Sequence, residues 1–122
     1  MSEESCSLAK KKCIPCSGAI PRLKGKELAA LVQELGHGWK LVEDRHIEKE
    51  YSFPDFLQGL KFTNAIGAVA EKEGHHPDIH LAWGKVKVTI WTHKVNGLTE
   101  SDFILAAKCD EQHEHRPHQQ AF

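Results

Sequence analysis

The chain has 122 residues, 40% of them hydrophobic and 27% charged, which is enough for one compact domain and too few for two. A globule of this length buries roughly 65–70% of the surface its unfolded chain exposes, so its stability does not require disulfide or metal staples. Sixteen basic side chains against seventeen acidic ones leave a formal charge of −1, without the basic footprint that direct nucleic-acid or anionic-membrane binding leaves.

Residues 1–22 mix charge, cysteine and proline without periodicity and read as an arm. The first residues, Met1-Ser2-Glu3-Glu4, are acidic where a signal peptide is basic, so a cytoplasmic protein is expected, with Cys6, Cys13, Cys16 and Cys109 mostly as thiols. Cys13-Ile14-Pro15-Cys16 has the spacing shared by zinc and dithiol redox sites. A structural zinc needs four ligands, however, and a redox motif needs a strand before it and a helix after it. The flanking Lys10-Lys11-Lys12 and Ser17-Gly18 read as loop, and a zinc arm would have to recruit Cys6 and a distant histidine.

The domain is expected over residues 23–110. Leu28, Leu31, Val32 and Leu35 recur at helical spacing, with Gly36 to end the helix and no Ser, Thr or Asp to cap its start. Residues 39–42 and 47–51 form a hairpin around Glu43-Asp44-Arg45. Ser52 with Asp55 has the form of a capping box and Pro54 suits a first helical turn, so a long helix follows, ended by Gly74. It carries two apolar stripes, one of Phe56, Leu60, Thr63, Gly67 and Ala70 and one of Phe62, Ile66 and Val69, wider than a single core contact demands. Its apolar run at residues 65–70 is far short of the roughly 20 residues that span a bilayer.

Ile79, Leu81 and Trp83 then alternate with polar or small residues, Gly84-Lys85 offers a turn, and Val86, Val88 and Ile90 alternate in a second strand. Alternation puts Trp91, Thr89 and Ala82 on the other face. Thr99 with Asp102 caps a last helix that turns Phe103, Ile104, Ala106 and Ala107 inward. Residues 111–122, with His113, His115 and His118, read as a mobile His-rich tail. The order α-β-β-α-β-β-α predicts a two-layer α+β fold: a four-stranded antiparallel sheet with the helices on one face.

His75 and His76 follow the long helix, where its partial negative charge favours a protonated imidazole. Pro77 biases His76 towards an extended conformation, so the two rings should point different ways. His93 ends the strand paired with the one that starts after Pro77, and the hairpin returns it towards the pair. Three such histidines are compatible with solvated or capping side chains, or with general acid and base chemistry at neutral pH. A metal triad fits less well, because adjacent histidines on one extended turn are poorly disposed to share an ion and no supporting Cys or HExxH pattern is near.

Glu71, His75-His76-Pro77, the aromatic Trp83, His93 and Asp102, at these intervals, resemble the signature of the pterin-4a-carbinolamine dehydratases. The likeness extends to Gly36-His37-Gly38-Trp39, the start of the long helix and Gly97-Leu98-Thr99, and covers about residues 23–108. It implies dehydration of a 4a-hydroxytetrahydropterin to a quinonoid dihydropterin, in recycling of a tetrahydrobiopterin-type cofactor, without a metal or organic cofactor. By this resemblance His75 and His93 are the acids that serve hydroxyls on opposite faces of the ring, and His76 holds the substrate and assists at N5. Glu71, Trp83, Trp91, Thr92 and Asp102 are the secondary candidates, as substrate-binding residues. For Asp102 the capping box is an equal explanation, with orientation of His93 or framing of the pocket as the others. The resemblance also implies a homodimer or homotetramer, and a protein-binding, coactivator-like role as the alternative to the enzyme. The long helix is the surface expected to meet a subunit or protein partner.

Overall fold

A computed structural model of the chain describes residues 22–36 and 38–114. Its elements are α1 (Gly25–Leu35), β1 (Lys40–Val42), β2 (His46–Ser52), α2 (Phe56–Glu73), β3 (Asp78–Ala82), β4 (Lys85–Ile90), a 3₁₀ turn (His93–Val95) and α3 (Glu100–Glu114). The strands form one antiparallel sheet in the order β1-β2-β4-β3. The predicted α+β order is thus the observed one. The pairing of β2 with β4 joins the two hairpins, with Ile47 opposite Ile90 and Tyr51 opposite Val86. Alternation then sends Ile47, Tyr51, Val86, Val88 and Ile90 to one face, where they are buried with Phe62 and Ile66 of α2, Phe103 and Ile104 of α3, and Leu28 and Leu35 of α1. The other face is polar, and Lys87 and Lys85 lie 3.6 and 4.0 Å from Glu48 and Glu50 across it.

Local chemistry sets several boundaries differently from the expected ones. Ser52 pairs with Lys85 as the last residue of β2, so no Ser52–Asp55 capping box forms. Asp55 is itself the cap, accepting from the Gln58 N–H at 2.9 Å, and Pro54 lies outside the helix. In α2 the core face is Gly59, Phe62, Ile66 and Ala70, while Phe56 and Leu57 remain 44% and 43% exposed. A Cβ at Gly59 would stand 3.2 Å from Leu81 Cδ1, so the small residue lets α2 lie close to the sheet. Ala82 pairs with Lys85, which makes the turn Trp83-Gly84 rather than Gly84-Lys85. Gly84 takes the left-handed φ of 74° that this second position needs. Trp83 stands at the tip, 71% exposed, instead of continuing the buried alternation.

The last helix is buried over most of its circumference from Ser101 to Ala107, because it packs against both α1 and α2. It runs on to Glu114, so the predicted tail from residue 111 begins too early: His113 packs against Tyr51, Phe53 and Phe62. The aromatic surface on β2 and α2 holds that extra turn in place. Cys109 is a buried thiol. The arm with Cys6, Cys13 and Cys16, and the tail beyond residue 114, lie outside the described residues. Among the described residues no helix is long and apolar enough to cross a membrane.

Candidate active site

The C-terminal end of α2 fixes two imidazoles and sends them apart. Gly74 adopts the left-handed conformation, φ 67° and ψ 27°, that ends a helix. Its N–H donates to Glu71 O, and the next N–H, that of His75, reaches back to Ala70 O at 3.2 Å. These paired bonds satisfy the last carbonyls of the helix and pin the His75 backbone. Pro77 then leads into β3, and the two rings diverge as the sequence predicts. His75 Nε2 lies 2.5 Å from Asp102 Oδ1, and His76 Nε2 lies 2.6 Å from Glu71 Oε2. The environments differ sharply: the first pair has side chains 13% and 0% exposed, the second 59% and 79%.

A fully buried carboxylate needs hydrogen-bond donors, and Asp102 has them from three directions. Its Oδ2 accepts from the Thr99 N–H at 2.8 Å and from the Thr92 hydroxyl at 2.7 Å, while Oδ1 faces His75. The single Thr92 hydroxyl proton is committed to Asp102, so in the 3.1 Å contact between the two threonines Thr99 donates. Half of the expected capping box is therefore real, in the bond from the Thr99 N–H. The orienting role falls on a different histidine from the expected one: Asp102 holds His75, not His93. Because the carboxylate oxygen accepts, a proton of His75 sits on Nε2, which leaves Nδ1 as the ring nitrogen outside that bond.

Strand pairing brings the third histidine to the same end of the sheet. Asp78 pairs with Thr89, and continuing that register by three residues sets His75 beside Thr92, which the shared bond to Asp102 confirms. His93 follows Thr92. There the chain folds back, with Thr92 bridged to Gly97 and a 3₁₀ turn between them that ends on Asn96 in the left-handed region. The exposed His93 ring stacks on Trp91, centroids 4.3 Å apart and planes 7° from parallel. A residue passed over in the sequence joins this stack: the His46 ring lies 4.3 Å from Trp91, tilted by 45°. Its signal was the β2–β4 register, which puts His46 beside Trp91 one step past Ile47 and Ile90.

Trp83 stands elsewhere. It closes β3 at the end away from His76, and at about 3.3 Å per residue it is roughly 20 Å from the histidines. Glu71, Thr92 and Asp102 sit with the histidines; Thr92 and Asp102 do so as buried groups, 3% and 0% exposed. Among the described residues no group of three or more His, Cys, Asp and Glu side chains is placed to hold a metal ion.

A second polar cluster ties α3 to the sheet. Asp110 accepts from Trp39 Nε1 at 2.9 Å, Lys49 Nζ at 2.8 Å and Tyr51 Oη at 2.6 Å. Burial, and then the negative charge of Asp110, push the Tyr51 phenol far above the usual range, so it remains a donor. Beside this cluster a cavity of about 290 Å³ is lined by Gly38, Lys40, Glu48, Lys49 and Glu50, none of them a predicted site residue.

Known proteins resemble this chain over most of its length. The family model described as pterin 4 alpha carbinolamine dehydratase matches residues 21–112. A relative from Alkaliphilus metalliredigens, named as a pterin-4-alpha-carbinolamine dehydratase, is 53% identical over 106 residues, covering 87% of this chain and 96% of its own. One of the same name from Rickettsia bellii is 56% identical over 106 residues, covering 87% and 94%. Among solved structures, a transcriptional coactivator/pterin dehydratase from Brucella melitensis superposes with a TM-score of 0.70 at 35% identity, covering 75% of this chain and 97% of that one. With its sheet order, its histidine end and these likenesses taken together, the chain belongs to the pterin 4 alpha carbinolamine dehydratase family.

Proposed function

We propose that the chain is a hydro-lyase that removes water from a 4a-hydroxytetrahydropterin, giving a quinonoid dihydropterin in recycling of a tetrahydrobiopterin-type cofactor. The observation that carries this reading is the Asp102 carboxylate, which holds His75 against the strand end that carries His93. In the elimination the N5 lone pair forms the C=N bond as the C4a–O bond breaks. An acid protonates the departing hydroxyl and a base takes the N5 proton, so the products are water and the dihydropterin. Two imidazoles on different supports suit two proton transfers. His75, oriented through Nε2, works at Nδ1, and His93 offers a second, exposed ring. His76, braced by Glu71, holds the pterin and assists at N5. No step of this elimination calls on a metal or an organic cofactor.

Thr92 and Asp102 are buried, so in this reading they act through His75 rather than on the pterin. Glu71 acts through His76, and Trp83 is left out of the site on distance. A cytoplasmic location is part of the proposal.

The test is an assay with freshly generated 4a-hydroxytetrahydropterin: the protein should accelerate its loss above the spontaneous rate, and no acceleration would overturn the assignment. A second reading, a protein-binding role, draws on the coactivator description of the Brucella structure and on the exposed Phe56 and Leu57 of α2. We read that face of α2 as the contact of a homodimer or homotetramer, and light scattering that finds only monomer at micromolar concentration would remove it.

A further inference from the structure

Resting on the dehydratase reading, we propose that Trp91 and His46 are positioning residues for His93: the indole fixes the imidazole, and His46 on the neighbouring strand fixes the indole. The rings of Trp91 and His93 are 7° from parallel at 4.3 Å, and the ring of His46 lies 4.3 Å from the same indole. The backbone on both sides of the stack is anchored. Ile47 pairs with Ile90 in the middle of the sheet, and Thr92 donates its N–H to Gly97 O at 2.8 Å. The His93 side chain is exposed, however, and an exposed imidazole on a short turn has several rotamers open to it. Ring stacking is the contact that selects one.

This assigns Trp91 a different task from lining the pterin. An indole whose ring is in contact with two imidazoles serves the substrate through His93, so its loss should appear in turnover rather than in substrate affinity. An aromatic contact of this kind corresponds to roughly a two- to tenfold effect. His46 touches only the indole in this stack, so its effect should pass through Trp91.

The experiment combines turnover with NMR of the His93 ring protons in Trp91→Leu, Trp91→Phe, His46→Ala and the double variant Trp91→Leu/His46→Ala. In the wild type the His93 ring protons should be displaced upfield by the indole ring current. Trp91→Leu should abolish that displacement and lower kcat about tenfold with KM within about twofold, while Trp91→Phe retains most of both. His46→Ala should lower kcat about threefold, and the double variant should be no worse than Trp91→Leu alone. A rise in KM at unchanged kcat, multiplying effects, or His93 resonances that Trp91→Leu leaves in place would overturn the proposal. A wild type without turnover would remove the dehydratase reading alone, since the ring-current displacement still decides whether Trp91 holds His93.

Discussion

His75 and Asp102 meet across the fold, one from the loop after α2 and the other from the first turn of α3, with Nε2 and Oδ1 2.5 Å apart. The same carboxylate caps α3 through the Thr99 N–H and anchors the strand end through Thr92. A helix cap, a strand terminus and an imidazole therefore share one buried acceptor. Whatever shifts α3 shifts His75.

Replacing Asp102 separates these tasks. Asp102→Asn keeps the volume and one carbonyl oxygen, so the cap from Thr99 survives in part, but the amide cannot accept from all three donors. The expected cost in stability is about 1–3 kcal/mol, read from denaturant unfolding. Turnover should fall much further, by about 10²-fold, because His75 loses the partner that fixes its tautomer. Full activity in a destabilised Asp102→Asn would reduce the residue to a cap.

The three histidines should be unequal in a specific way. His76→Ala should be impaired about 10²-fold or more on either C4a stereoisomer of the substrate. His75→Ala and His93→Ala should each be selective, damaging the isomer whose hydroxyl lies on their side of the pterin. Rates measured on the separated isomers check this, and equal mild losses at all three positions would dismiss the mechanism. Glu71→Gln should cost less than about threefold, because the Glu71–His76 pair is exposed at 79% and 59% and solvent screens it.

Period and turn chemistry made most of the fold legible. Alternation at Val86, Val88 and Ile90, and the glycine stops at Gly36 and Gly74, announced strands and helix ends, since each depends on local geometry alone. What stayed hidden depended on partners distant in sequence. Leu28, Phe62 and Phe103 could be assigned to a core, but nothing local says that α3 is enclosed by both other helices, or that His113 finds the aromatic surface of Tyr51, Phe53 and Phe62. For the same reason the one imidazole that the sequence offers Asp102, as an alternative to the cap, is His93, its nearer neighbour along the chain, whereas the fold supplies His75. His46 carries no local signal, because its meaning lies in a cross-strand register.

Trp83 offers a negative prediction. It stands at the β3–β4 tip, 71% exposed, at the end of the sheet away from His75, His76 and His93. Trp83→Ala should change kcat/KM by less than about twofold and stability by less than about 0.5 kcal/mol. A large loss of activity would mean that the site receives Trp83 from a second copy of the chain, and a matching change in oligomeric state would identify it.

Tyr51 gives the alkaline limb of stability. It is the only tyrosine in the sequence, so tyrosinate absorbance reports on it alone. Burial and the Asp110 charge raise its pKa in the folded state, whereas in the unfolded chain it titrates near the ordinary value of about 10. Below that pH both states hold the proton and this group adds no slope. Above it the unfolded state loses the proton while the folded state keeps it, so unfolding becomes easier by about 1.4 kcal/mol per pH unit from this residue. The folded protein should therefore show no tyrosinate signal at pH 10–11 until it unfolds, and the signal should then appear together with the loss of helix by circular dichroism. Tyr51→Phe should remove that part of the alkaline slope, at a cost of about 1–2 kcal/mol at neutral pH because Asp110 loses a donor. A phenol that titrates reversibly near pH 10 in the folded state would mean that the contact with Asp110 does not exclude water.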